Sequence, residues 1–257
     1  MRIAAYQFGV TGNVCQNMNT IRNAIEQAEK QDVKLLVFPE CALTGYPPRD
    51  MGRPSDIDDE AVGNALSFIK EMSDRTAIAV IVGSIAHETG YYNRAYVFRS
   101  GEEPVWYGKR ALYGWDEENF LPGTEDGVLD IGDCKIGIRI CYEIRFPEYF
   151  RELYKKHTDL NIVLFNDVAD EENAERYGII KSHLITRAVE NATPFLSVNT
   201  TVPYQTAPTC FIDASGKVIA ECVAGKEEML IVEFEKKDPS FGEIGRIKES
   251  DRLLGIE

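Results

Sequence analysis

Residues 135–148 read KIGIRICYEIRFPE, and the change of character inside this stretch sets the arrangement of the rest. Lys135 to Cys141 alternates and is rich in β-branched residues, the pattern of a buried strand. Tyr142, Glu143 and Arg145 then bring polar groups, Pro147 marks a turn, and residues 146–156 carry the spacing of an amphipathic helix. A thiol at a strand-to-helix corner is open to a substrate and lies near backbone N–H groups. Cys141 is therefore a candidate nucleophile.

Outward from this corner the chain alternates regularly. On the N-terminal side, strands are expected at residues 2–8, 35–39 and 77–84, separated by helices at about 15–31 and 60–74. Ile21, Ala24, Ile25 and Ala28 supply the helical spacing of the first. Two hairpin-like strands follow, 92–99 and 105–108, and then a long loop, 110–127. Strand 128–131 leads into the Cys141 strand. Beyond it come a strand at 161–165, a helix at about 171–191 and a strand at 194–198. Three short strands follow, at 209–213, 218–221 and 228–234, and then a charged tail, 235–257. Strands alternating with helices predict parallel pairing, and the hairpins add antiparallel pairs, so mixed sheets are expected. Two sheets packed face to face, each covered by helices, accommodate this many strands. No repeat or flexible linker divides the chain, which reads as one domain of 257 residues.

The hydrophobic share of 44% and charged share of 27% are those of an ordinary globular protein. The formal net charge is −14. With no Lys/Arg cluster to meet phosphates, nucleic acid is excluded as an expected partner. No apolar run reaches bilayer-spanning length, so no membrane association is expected. The opening MRIAAYQF shows no secretory signal, and the six cysteines (15, 41, 134, 141, 210 and 222) are dispersed without CxxC spacing. Reduced thiols and a cytoplasmic location are expected. His87, His157 and His183 form no spaced pair with other ligands, so no metal is expected.

A thiol needs a proton acceptor. The histidines are weak candidates: His87 lies in a loop, His157 ends a Lys-Lys-His run, and His183 lies within a helix. The alternative is a carboxylate in a dry pocket, where burial lets a carboxyl accept a proton near neutrality. LLVFPE places Glu40 at the C-terminal end of a buried strand, on the edge where open α/β sheets form their ligand crevice. A turn carboxylate would look the same. Lys109, in VWYGKRALYGWDEENFLPG, ends a short strand and enters the long loop. Alone it reads as a surface residue.

VFPECALTGYPP, YGKRALYGWDEENFLPG and GIRICYEIRFPE, in this order, resemble the three signature segments of the nitrilase superfamily, the carbon–nitrogen hydrolases with a Glu-Lys-Cys triad. RAVENATPFLSVN and DASGKVIAE extend the resemblance over nearly the whole chain. It implies an α/β four-layer α-β-β-α sandwich with two mixed β-sheets. It also assigns roles. Cys141 is the nucleophile, Glu40 the general base, and Lys109 with the backbone N–H of Tyr142 the oxyanion stabiliser. The family often carries a second Glu after the Lys; alignment on Phe120 selects Glu117, and a slip of one residue selects a neighbour. Arg145 is placed to bind a substrate carboxylate, or to pair with Glu143 or Glu148.

The implied reaction is hydrolysis of a small linear amide, of ω-amidase or N-carbamoyl hydrolase type, through a cysteine thioester and without any cofactor. A nitrilase acting on nitriles uses the same triad and is the alternative. A silent member acting as a binding protein is a further one, although all three triad residues are present. Family members commonly pair through helical faces, so a homodimer or higher homo-oligomer is expected, with the 235–257 tail reaching a partner subunit. FNDVADEENAERYG replaces the Trp-containing segment of many relatives and puts Asn166 and Asp167 forward as substrate contacts. LTGYPPRD resembles the matching segment of glutamine-dependent NAD synthetases. The Cys segment lacks their Cys-Glu-Asp form and no synthetase domain is read here, so glutaminase-coupled synthesis is not expected.

Overall fold

The structure is a computed structural model that describes residues 1–256. In chain order its strands and helices are β1 (Arg2–Gln7), α1 (Val14–Lys30), β2 (Leu35–Val37), α2 (Asp59–Thr76), β3 (Ala79–His87), β4 (Tyr91–Phe98), β5 (Val105–Gly108) and α3 (Trp115–Asn119). Then come β6 (Val128–Ile131), β7 (Cys134–Ile140), α4 (Pro147–Lys155), β8 (Leu160–Leu164), β9 (Val168–Ala169) and α5 (Ala174–Asn191). The chain continues through β10 (Phe195–Val198), β11 (Tyr204–Gln205), β12 (Cys210–Ile212), β13 (Val218–Glu221), β14 (Glu228–Glu233) and α6 (Phe241–Leu254).

Two six-stranded sheets have the orders β14-β1-β2-β3-β4-β5 and β13-β12-β10-β8-β7-β6. In the first, β1, β2 and β3 run parallel; in the second, β7, β8 and β10 do. Antiparallel strands flank both parallel centres, so both sheets are mixed, as expected.

Alternation along the strands decides the layers. Ile3, Ala5, Leu35, Val37 and Ile81 face Ile136, Ile138, Ile140, Ile162 and Leu196 of the other sheet in one continuous core. The intervening Ala4, Leu36, Phe38 and Val80 pack on Ile21, Ile25 and Ile69 of α1 and α2. On the opposite side Val163, Phe165 and Phe195 pack on Phe150, Leu153, Ile180 and Leu184 of α4 and α5. The result is the four-layer α-β-β-α sandwich. Helix starts follow capping chemistry: Asn13, Asp58 and Asn173 each accept a first-turn backbone N–H, and Pro147 opens α4.

The sequence read residues 235–257 as a polar tail. Most of it is α6, which lies on its own chain. The Tyr154 hydroxyl donates to Asp251 at 2.6 Å, Arg151 donates to Ser250 at 3.3 Å, and Arg246 to the Ala214 carbonyl at 3.2 Å. Only Ser250 of α6 is buried, so this docking is polar and leaves no apolar stripe to read. Among the described residues, no helix is long and apolar enough to cross a membrane.

Candidate active site

Strand ends converge on one cavity of about 440 Å³ whose lining includes Tyr46, Lys109, Cys141, Arg145 and Asn166. Glu40 follows β2, Lys109 follows β5, Cys141 follows β7 and Asn166 follows β8. β7 and β8 are parallel neighbours with Ile140 opposite Leu164, so Cys141 and the Phe165–Asn166 pair leave the sheet side by side. Glu40 belongs to the other sheet and crosses over, its N–H bonding the Phe165 carbonyl at 3.2 Å.

Two features force Glu40 into place. Its backbone lies so close to β3 that a Cβ on Gly83 would fall 2.3 Å from the Pro39 oxygen and 2.4 Å from the Cys41 nitrogen; only glycine fits there. Three donors hold its side chain. Oε1 accepts from Asn93 Nδ2 at 2.7 Å and from Lys109 Nζ at 2.9 Å, and Oε2 accepts the Asn166 N–H at 2.8 Å. Lys109 is pinned by main-chain bonds to Asn93 and Gly123. Its ammonium also donates to Asp116 Oδ2 at 2.7 Å. Burial works against that charge, but Glu40, Cys141, Tyr46 and Asp116 around it prevail and hold the Lys109 ammonium well above its usual range.

Cys141 opens a 3₁₀ turn, Cys141–Arg145, with φ +47, in the left-handed region. Such a backbone costs on the order of 1–3 kcal/mol and is tolerated where the surroundings impose it. Glu143 imposes it here. This wholly buried carboxylate accepts the N–H of Ile140 at 2.7 Å and of Arg110 at 2.8 Å, plus the Tyr107 hydroxyl at 2.8 Å. It thereby ties the Cys141 corner to the loop that carries Lys109. Burial, and then the Glu40 charge, push the Cys141 thiol well above its usual range; Lys109 and the Asn166 N–H at the sulfur oppose this. A thiol held in this way needs a base to take its proton if it is to bond a substrate carbon.

The structure sets Lys109 against Glu40, with the charges of both acting on Cys141, and Tyr142, Arg145 and Asn166 line the same cavity as Lys109 and Cys141. None of the three histidines lines it. His87 pairs with Asp59 at 2.8 Å at the surface. The second carboxylate differs from expectation. Asp116 is buried and bonds Lys109 and the Tyr46 hydroxyl, whereas Glu117 is exposed. The short helix α3 turns successive side chains by about 100°, so only one of three adjacent acids faces the ammonium.

Asp167 lines the cavity, but its carboxylate is already engaged. Arg176 Nε and Nη2 occupy both its oxygens at 2.8 Å, and Thr206 donates to it as well. Asp167 thus anchors Arg176 at the cavity wall instead of standing free for substrate. Arg145 makes no ion pair with Glu143 or Glu148; among the described residues its guanidinium has no hydrogen-bonded partner, and it faces the cavity half-buried. Asp116 is one of the neighbours that a one-residue slip from Glu117 selects, whereas Asn93, Tyr46 and Arg176 were not singled out from the sequence. Arg176 had one signal, the Asn173 cap that fixes the first turn of its helix.

The sequence profile of the Carbon-nitrogen hydrolase family matches residues 2–238. The chain is 31% identical over 240 residues to the 2-oxoglutaramate amidase of Bacillus subtilis (strain 168), covering 89% of this chain and 88% of that protein. It is 34% identical over 156 residues to the glutamine-dependent NAD(+) synthetase of Thermotoga maritima, covering 57% of this chain but 26% of the synthetase. A solved amidase from Nesterenkonia sp. AN1, with acrylamide added at its active-site cysteine, shares the fold at a TM-score of 0.81. It has 23% identity to this chain, and the match covers 99% of both. The buried Glu–Lys pair beside a corner cysteine, set in this sandwich and matched along nearly its whole length, makes this chain a member of the carbon–nitrogen hydrolase family, a hydrolase of carbon–nitrogen bonds.

Proposed function

We propose that the protein hydrolyses small linear primary amides that carry a carboxylate, with Cys141, Glu40 and Lys109 as its catalytic residues. The observation that carries the substrate reading is Arg145, a cation with no hydrogen-bonded partner among the described residues, on the wall of the cavity that holds the thiol. A guanidinium left unpaired in such a wall matches a carboxylate in bidentate fashion. The 2-oxoglutaramate named for the Bacillus subtilis relative is an amide of this kind.

The chemistry follows from the contacts. Glu40 Oε2 carries one protein donor, which leaves a lone pair for the thiol proton. As that proton moves to Glu40, the sulfur bonds the amide carbon and the carbonyl π pair moves onto oxygen. Two of the three Lys109 N–H groups are committed to Glu40 and Asp116. The third, with the Tyr142 N–H of the turn's open end, meets the oxyanion. Glu40 returns the proton to nitrogen, the C–N bond breaks, and ammonia leaves a thioester. Glu40 then takes a proton from water as its oxygen attacks the thioester; the C–S bond breaks and sulfur regains a proton. Asp116 and Tyr46 keep the ammonium in position throughout.

The test is ammonia release from matched primary amides with and without a distal carboxylate, with Cys141→Ala as the control. The expected result is a kcat/KM at least ~10-fold higher for the carboxylate-bearing amide, a preference abolished in Arg145→Met. Equal turnover of charged and neutral amides would remove Arg145 from recognition. Ammonia release that survives Cys141→Ala would remove the cysteine.

A further inference from the structure

Asn166 is more than nine-tenths buried, lines the cavity with Cys141 and Lys109, and keeps one polar atom unused. Its main-chain N–H bonds Glu40 Oε2 at 2.8 Å, and its side-chain Nδ2 donates to the Glu40 carbonyl at 3.3 Å. Its Oδ1 is buried without a hydrogen-bond partner among the described residues. The Glu40 carbonyl fixes this orientation, because turning the amide over would set oxygen against oxygen. Buried acceptors are nearly always satisfied, so an orphan on the wall of a reactive cavity calls for an occupant.

We infer that Asn166 Oδ1 accepts a hydrogen bond from the N–H₂ group of the substrate amide and so selects amides over esters and nitriles of the same acyl part. This rests on the amide-hydrolase reading above and deepens it. The nitrogen that leaves must reach Glu40 to collect its proton, and the residue bonded to the catalytic oxygen of Glu40 is Asn166. An amide nitrogen there has one N–H to offer Oδ1 while it waits for the Glu40 proton. An ester oxygen or a nitrile nitrogen has none and would bring lone pairs against a lone pair. A site built to accept a hydrogen bond rejects analogues that cannot donate one far more strongly than an apolar pocket rejects a change of size. Asn93 offers a contrast. It also bonds Glu40 and has an Oδ1 without a partner among the described residues, but unlike Asn166 it is not part of the cavity lining beside Cys141.

The experiment compares kcat/KM for a carboxylate-bearing primary amide and its methyl ester in the intact enzyme and in Asn166→Leu and Asn166→Ala. The amide-over-ester preference is expected to fall at least ~10-fold in both variants. A residue with a merely structural role would lower both substrates together, and an unchanged preference overturns the inference. A second measurement leaves Asn166 in place. In the Cys141→Ala protein, the amide should bind at least ~10-fold tighter than the methyl ketone that replaces NH₂ by CH₃. Equal binding overturns the inference too. If the wild-type protein turns over no amide at all, the fault lies with the amidase reading. If it does, and the preference does not depend on Asn166, only the role of this side chain falls.

Discussion

Lys109 Nζ lies 2.7 Å from Asp116 Oδ2, closer than its 2.9 Å contact with Glu40, and Asp116 also takes the Tyr46 hydroxyl. One ammonium is thus shared by two buried carboxylates from different segments. In the proposed reaction Asp116 would set where that ammonium sits as negative charge develops on substrate oxygen.

Asp116→Asn removes the charge and keeps the shape. Its kcat/KM for amides should fall ~10²-fold or more, the scale on which a displaced oxyanion donor is felt. Glu117→Gln, one residue along and exposed, should stay within about twofold. Steady-state ammonia release on both variants decides the matter; a larger loss at Glu117 would show that the α3 turn is rotated in the working enzyme.

Glu143 touches no substrate, yet it holds the Cys141 corner to the Lys109 loop through the N–H groups of Ile140 and Arg110. In Glu143→Gln one amide NH₂ must face a backbone N–H. The expected cost is about 1–3 kcal/mol of stability for the donor left unmatched. The fall in activity should appear in kcat more than in KM, because the nucleophile loses its alignment with Lys109. Thermal unfolding and steady-state kinetics on one preparation test both parts. An unaltered melting temperature with full kcat would contradict the role.

The buried thiols set an alkaline limit. Burial pushes Cys210 up to about 12 against the opposing Ser197 hydrogen bond, and burial with the neighbouring Glu228 pushes Cys222 up to about 12. In the unfolded chain both titrate near 8.5. The folded state therefore binds more protons than the unfolded state between those values, so stability falls as pH rises. The contribution is whole below about pH 8.5 and is lost progressively up to about pH 12. Denaturant unfolding at pH 8, 9.5 and 10.5 should show this decline, and it should be shallower in the Cys210→Ala, Cys222→Ala double variant. A slope identical in wild type and variant would assign the alkaline loss to other groups.

Much of this molecule is legible residue by residue. The alternation of Ile136, Ile138 and Ile140 with Gly137 and Arg139 marks β7, and the spacing of Ile21, Ala24, Ile25 and Ala28 marks α1, because both periods reflect one face turned to the core. Helix α6 is the counter-example. Its contacts are hydroxyl, carboxylate and carbonyl bonds, and such bonds leave no periodic trace. Its residues read as a tail because only their neighbours distinguish them from one.

The sequence by itself marked the alternating strands and helices and the corner on which the thiol sits, since strand period and turn residues are short-range properties of the chain; resemblance to the family, not any local pattern, put Glu40 and Lys109 forward as the partners of Cys141. Tertiary structure alone decided which acid of Asp116, Glu117 and Glu118 meets the ammonium, that Asp167 is paired with Arg176, and that Arg145 has no partner among the described residues. Those outcomes depend on rotation about a helix axis and on which donors arrive from residues up to 126 positions apart, as Asn166 reaches Glu40. No local pattern in the chain encodes such meetings; the packing of two sheets does.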